Sequence, residues 1–332
     1  MMRIRRLLPA LVLALLTGCG DSSVNDSSDA STTALPKIIL QTDWYAQPEH
    51  GGFYQAQLSG YYEEAGLDVE IRPGANINNV PQMVATNRIQ FAVGTRDNLI
   101  MAISRGIPLL ALFPYFQHDP QCVMFHKESG IETLADLDGR TVMLNPGAAY
   151  VQYLQKTLGI KLQLVPLDYS LTRFLADPTF VQQCFVTSEP FFVAQQGVEA
   201  GVLPLSSSGF DPYRIVYTNA EFAAQNPELV QAFLDASARG WMTYIEGDGS
   251  AVHERLAALN PQQTPEFMTF TKQALTDNNL IEGTAGEAFG RFDRERLVTH
   301  IGHLEALDLL DSTVEVDRAF GFDYLPERFR PE

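Results

Sequence analysis

The chain of 332 residues is poor in cysteine, in basic charge and in long apolar runs. Its three cysteines, at positions 19, 122 and 184, form no CxxC pair. Basic residues number 23 against 40 acidic ones, a net charge of −17 that argues against nucleic acid or an anionic membrane surface as partner. After the N-terminal region no segment approaches the ~18 apolar residues of a membrane-spanning helix. A Gly-x-Ser-x-Gly elbow, a phosphate-binding glycine loop and a well-spaced carboxylate pair are all missing, so no set of catalytic residues stands out.

What is present begins with an address. Arg3, Arg5 and Arg6 precede an apolar run, Leu7 to Leu16, which reads as a secretory leader over residues 1–18. Leu16-Thr17-Gly18-Cys19 resembles a bacterial lipobox, with cleavage before Cys19 and a lipid on its sulfur. An ordinary leader with an accidental cysteine is the plainer reading, but position, small residues and cysteine agree on lipidation. Residues 19–35, rich in Ser, Asp, Asn and Thr, hold too little apolar surface to fold and read as a tether. The expectation is export to the periplasm or cell surface, lipid-anchored to a bacterial membrane.

From Lys37 onward short strands alternate with helical patterns. Strand Lys37–Gln41 precedes helix Phe53–Glu64, strand Asp68–Arg72 helix Asn79–Thr86, and strand Gln90–Val93 helix Asn98–Ser104, before strand Leu109–Leu112. This alternation predicts βαβ units around a parallel sheet. A second such unit opens near Gln117, with strands Gln121–His126, Thr141–Leu144, Gln163–Pro166 and Gln182–Thr187 and a helix over Tyr150–Leu158. The chain returns through Ile215–Thr218 to a helical tail: an amphipathic Pro227–Ile245, then Thr264–Asn278, Gly286–Phe289 and Arg294–Leu307. Two analogous α/β halves with a cleft between them follow from this order.

In open α/β sheets ligands sit beyond the carboxyl ends of strands, so the strand-end loops hold the candidates. The richest is Asp43-Trp44-Tyr45-Ala46-Gln47-Pro48-Glu49-His50-Gly51-Gly52-Phe53-Tyr54. Trp44 and Tyr54 could stack on a planar ligand, or both could be core residues; the loop position favours the site for Trp44, while Tyr54 is evenly balanced. His50 could hydrogen-bond a ligand. A metal there would need convergent partners, which the histidines at 118, 126, 253, 300 and 303 do not supply. His300 and His303, three apart on a helix, read as a solvated face, and no metal site is expected. Arg96, after Gly94-Thr95, could pair with Asp97 or neutralise a ligand carboxylate. Asn145 to Tyr150 opens a helix at another strand end. Thr187 and Glu189 end a third strand, where a carboxylate can accept hydrogen bonds from an amine or an aminopyrimidine; capping a helix at Phe191 is the plainer role.

These motifs resemble one family. The Asp43–Tyr54 segment, Gly60-Tyr61-Tyr62 with Gly66-Leu67-Asp68-Val69, and Leu134 to Arg140 after Ser129-Gly130-Ile131 all carry the resemblance. So do Thr187-Ser188-Glu189-Pro190, Asn226 to Phe233 and Arg239-Gly240-Trp241. The family is the solute-binding proteins of ABC importers for nitrate, sulfonates, taurine and thiamine pyrimidine precursors. The resemblance covers roughly residues 37 to 260. Trp44 to His50 and Glu189 look closest to the branch that binds formylaminopyrimidine precursors of thiamine, where an aromatic clamp holds the ring. Tyr45, Ala46 and Gln47 depart from that branch's Asp-Trp-Phe-Pro-Asn run.

The resemblance implies a two-lobed periplasmic-binding-protein fold (type II), with one lobe from residues 36–115 and 214–332 and the other from 116–213. Crossings are expected near Pro114–Pro120 and Val202–Tyr213. The implied function is capture of a small planar nitrogenous solute, without cofactor or catalysis, for permease and ATPase subunits. Asp43, Trp44, His50, Tyr54, Thr95, Arg96, Asn145, Tyr150, Thr187 and Glu189 are the candidate ligand residues. It also implies that strand Gln121–His126 lies antiparallel beside Gln182–Thr187, bringing Cys122 near Cys184; a disulfide or two buried thiols both fit. The same family includes a thiamine pyrimidine synthase that consumes pyridoxal phosphate and a histidine with iron. Its cysteine-rich run is matched here by Ser206-Ser207-Ser208-Gly209-Phe210-Asp211, and its lysine and histidine positions fall near Gly94 and Asn98, so neither residue is present.

Overall fold

The computed structural model describes residues 35–74 and 79–324; the leader, Cys19 and the tether lie outside them. Ten strands form two sheets. The first holds β1 (Lys37–Gln41), β2 (Asp68–Arg72), β3 (Phe91–Thr95), β4 (Leu109–Phe116) and β10 (Arg214–Asn219), in the order β2-β1-β3-β10-β4. The second holds β5 (Gln121–His126), β6 (Thr141–Leu144), β7 (Gln163–Pro166), β8 (Val181–Phe185) and β9 (Ala200–Pro204), in the order β7-β6-β8-β5-β9. In each sheet the first three strands in that order are parallel, and the strand inserted fourth is antiparallel to its neighbours. The chain passes between the sheets at residues 117–120 and again at 205–213. The two-lobed α/β architecture is therefore present. The insertion of β10 matters for the site, because an antiparallel strand starts where its parallel neighbours end. Arg214 pairs with Thr95, the last residue of β3.

Several elements differ from expectation for local reasons. The helix anticipated over Phe53–Glu64 is two helices, Gly51–Leu58 and Tyr61–Glu64, parted at Gly60 with φ +72°. Only glycine takes that conformation without steric cost. The helix anticipated from Tyr150 starts at Ala149 and widens into a π turn over Tyr153–Thr157. Gly286–Phe289 forms turns instead of a helix. Strand β9 and the helices Glu189–Gln195 and Ser250–Leu259 carry too little periodic contrast to have been read.

The long helix Pro227–Glu246 packs across Gly51–Leu58 at very short range. A Cβ on Gly240 would lie 2.3 Å from the Gly52 carbonyl oxygen, and one on Gly52 would lie 2.1 Å from the Trp241 ring. The paired glycines after His50 thus serve helix packing. Trp241 then fills the interior against Phe53, Tyr115 and Phe116, with ring centroids 5.5, 5.5 and 5.7 Å away. The apolar interior joins the sheets, since Leu40 and Phe91 share one cluster with Met143 and Cys184. Cys122 stands directly opposite Cys184 on β5 and β8, and a disulfide joins them.

Candidate functional site

The loop after β1 is held rigidly before it reaches the cleft. Thr42 Oγ1 donates to the Trp44 carbonyl at 2.9 Å, and the Gly74 N–H donates to the same carbonyl at 2.8 Å. A Cβ on Gly74 would lie 1.6 Å from the Thr42 carbonyl oxygen, so that approach requires glycine. Pro48 then starts the single turn Pro48–His50, which runs straight into Gly51–Leu58.

Asp43 is the centre of a charged chain. Its Oδ1 lies 2.9 Å from His50 Nε2, and its Oδ2 accepts from Arg214 Nη1 at 2.9 Å. Arg214 Nε donates in turn to Asp119 Oδ2 at 2.9 Å, and its guanidinium sits 5.6 Å from the Phe185 ring centroid. One arginine thus ties the β1 loop, the start of β10 and the first crossing to the end of β8. Burial alone would raise the Asp43 pKa, but the His50 hydrogen bond and the Arg214 charge outweigh it and bring it to about 2. For Asp119 burial wins over Arg214, and its pKa is pushed up to about 6. His50 Nδ1 is buried without a partner.

Two further carboxylates face this chain from opposite lobes. Burial raises the pKa of Glu49 in the β1 loop and of Glu189 after β8, and the charge of Glu49 adds to the rise at Glu189. Glu189 Oε2 accepts the Phe185 N–H at 2.8 Å. It begins the helix Glu189–Gln195 itself, ahead of the Phe191 start anticipated for a capping role. Thr187 is fully buried; its hydroxyl neighbours Glu49 outside hydrogen-bond geometry, and its carbonyl accepts from Thr271 Oγ1 at 2.8 Å. In the same β1 loop Trp44 is 40% exposed, with its ring centroid 5.6 Å from that of Tyr169 in the other lobe. Tyr169 is exposed and holds φ +62°, a backbone conformation that costs a bulky residue free energy.

The remaining candidates scatter. Thr95 Oγ1 is buried without a partner next to Arg214. Tyr150 OH donates to Gln183 Oε1 within its own lobe. Asn145 is exposed, and its Oδ1 accepts the Gly147 N–H at 3.2 Å, a local turn contact. Tyr54 is 1% exposed inside the apolar core, where burial lifts its hydroxyl pKa to about 12. Arg96 points elsewhere: Nη2 donates to the Asp211 carbonyl at 3.0 Å, and the guanidinium lines a separate cavity with Arg296, His300 and His303. His300 is 2% exposed against Phe210, which corrects the solvated-face reading of that helix. Its side faces the second crossing, a partner that spacing along one helix cannot reveal.

Glu49, Asp119, Tyr169 and Arg214 were missed by sequence reasoning. Glu49 stood inside the quoted motif. Arg214 could have been found from the rule that an inserted antiparallel strand begins at the cleft, had the insertion been known. Tyr169 carried no signal in residue type.

Residues 47–250 match the NMT1/THI5 like family model, so the chain belongs to that family. A formylaminopyrimidine-binding protein of Halalkalibacterium halodurans is 23% identical over 321 residues, covering 93% of this chain and 96% of that protein. The riboflavin-binding protein RibY of Chloroflexus aurantiacus is 24% identical over 359 residues, covering 98% and 99%. A 4-amino-5-hydroxymethyl-2-methylpyrimidine phosphate synthase of Legionella pneumophila is 24% identical over 261 residues, covering 74% and 81%. Among solved structures, the periplasmic aliphatic sulphonate binding protein SsuA of Escherichia coli superposes with a TM-score of 0.61 at 14% identity, covering 85% of this chain and 91% of that one. The chain has the two-lobed fold of the periplasmic binding proteins. No helix among the described residues is long and apolar enough to cross a membrane.

Proposed function

We propose that this chain is the lipid-anchored solute-binding subunit of an ABC importer and captures a small planar nitrogenous solute, of the thiamine pyrimidine-precursor type, by closing its lobes. The observation that carries this reading is an aromatic pair, Trp44 and Tyr169, together with a carboxylate pair, Glu49 and Glu189, each split between the lobes. Trp44 and Tyr169 supply the faces, and Glu49 and Glu189 supply acceptors for exocyclic amino groups. A ring held between two aromatic faces needs about 7 Å, two contacts of ~3.5 Å. The 5.6 Å between the Trp44 and Tyr169 centroids therefore implies that entry spreads the lobes and that release lets the clamp collapse. Asp43 acts by positioning, because both its oxygens are engaged by His50 and Arg214. The lobes comprise residues 36–115 with 214–332, and 116–213, and the crossings at 117–120 and 205–213 act as the hinge. Cys19 carries the lipid, and permease and ATPase subunits receive the solute.

The relatives named for formylaminopyrimidine and riboflavin support a heterocycle over an oxyanion. The synthase reading is weaker because serines stand at 206–208 where that enzyme has cysteines. A thermal-shift screen of aminopyrimidines, flavins, sulfonates and nitrate tests the proposal by mass action. Stabilisation by a heterocycle, lost in Trp44→Ala, is expected. Stabilisation by nitrate or a sulfonate alone contradicts the clamp, and turnover of pyridoxal phosphate contradicts the binding role.

A further inference from the structure

Away from the Asp43 chain, the second crossing and the helix Arg294–Ala306 line an open cavity of about 300 Å³. Its lining brings two arginines and two histidines together with Asp211, Asp293 and Glu295. Arg96 and His300 lie within it, both almost fully buried, with Arg296 and His303 beside them. Arg96 and Arg296 flank the Tyr213 ring, with guanidinium carbons 4.7 and 4.1 Å from its centroid.

The two arginines are not equivalent. Arg296 is held through both terminal nitrogens, by Asp211 Oδ2 at 2.7 Å, Glu287 Oε1 at 2.9 Å and the Gln117 carbonyl at 2.6 Å. Arg96 makes one side-chain hydrogen bond, from Nη2, and its Nε and Nη1 are buried with no partner. His300 Nε2 and His303 Nδ1 are likewise unpartnered. The acids that line the cavity do not answer this need. Asp211 Oδ2 is shared between His118 and Arg296, Asp293 Oδ1 accepts the Arg296 N–H, and Glu295 is exposed. A buried guanidinium with open donors is costly unless a counter-charge completes it. Burial and the neighbouring Arg296 charge lower the Arg96 pKa to about 9, as expected of a cation short of partners.

We propose that this cavity is a second ligand site, separate from the interlobe cleft, which takes a small oxyanion of carboxylate or phosphate type held by Arg96 with His300 Nε2 as an additional donor. Bound there, the anion would join the start of the Arg96–Ser104 helix to the Arg294–Ala306 helix alongside the second crossing.

The test titrates the purified protein with inorganic phosphate, sulfate and acetate, each against chloride at constant ionic strength, and follows the melting temperature. Saturable stabilisation by at least one of the three is expected, and which of them acts identifies the class of oxyanion. Arg96→Gln should abolish the response, His300→Gln should weaken it several-fold, and Trp44→Ala should leave it intact. Because Arg96→Gln alters a buried charge and could fail to fold, the imidazole NMR signal of His300 in the unsubstituted protein provides an independent readout. It should move saturably with the active anion. The proposal is overturned by a response to none of the three anions, by an undiminished response in His300→Gln, or by loss of the response in Trp44→Ala.

Discussion

Tyr169 shows how a single residue can hold its place against local preference. An aromatic side chain at φ +62° costs of order 1 kcal/mol relative to glycine, and Tyr169 is exposed, so little core packing offsets it. Tyr169→Gly should therefore leave the unliganded protein as stable or more stable by about 1 kcal/mol, while weakening heterocycle binding at least ~10-fold through loss of one stacking face. Equal losses of stability and binding would mean that the ring is structural. Asp43 gives the opposite case, a residue stabilised by its setting. Its folded pKa of about 2 lies below the ordinary aspartate value of 3.8, so its contribution is fully present above pH ~4 and is lost as pH falls through about 2. Asp43→Asn should flatten the acid limb of the stability–pH profile over that window and cost about 2 kcal/mol at neutral pH, because Arg214 loses one of its two carboxylates. Urea melts at a series of pH values check both. Trp44 is exposed, as its place in a strand-end loop suggested. Tyr54 and Arg96, named as candidates beside it, turn away into the core and a separate cavity, since a helix start turns its side chains by 100° per residue and only tertiary packing says which way.

At the scale of elements, strands and long helices could be read closely, and junctions could not. Pro227–Glu246 was visible from its apolar stripe, and its start from Pro227. The reason for Gly51, Gly52 and Gly240 became visible only when that helix lay on Gly51–Leu58. Gly240→Ala should destabilise the fold by roughly 1–3 kcal/mol, since its Cβ would meet the backbone oxygen of Gly52 at 2.3 Å and neither helix can yield cheaply. A null effect in chemical denaturation would show that the helices slide apart. The cysteine pair belongs here too. Proximity of the strands followed from the family resemblance, whereas register, which decides pairing, is invisible in one sequence. The bridge closes a loop of 62 residues, worth about 4 kcal/mol on the chain-entropy model. Replacing both cysteines with alanine should lower unfolding free energy by roughly that amount, while binding to the folded form is retained.

At the scale of the whole molecule, the two sheets repeat one topology, three parallel strands and an inserted antiparallel fourth followed by an edge strand. This repetition brings the loop after β1, the end of β3 and the start of β10 together at Arg214. Alternating strands and helices made the α/β class legible, but the order of strands depends on which crossings the chain makes, and no local signal encodes that. The Arg214 bridge from Asp43 to Asp119 is the clearest device of this scale, because it links the loop after β1 to the first crossing between the sheets. The most direct measurement of the proposed role is isothermal titration of the purified protein with a formylaminopyrimidine, alongside Trp44→Ala and Tyr169→Ala. One-to-one binding to the unsubstituted protein, weakened at least ~10-fold in each variant, is the expected result. Binding that both variants retain undiminished, or no binding of any planar heterocycle, would contradict capture by an aromatic clamp.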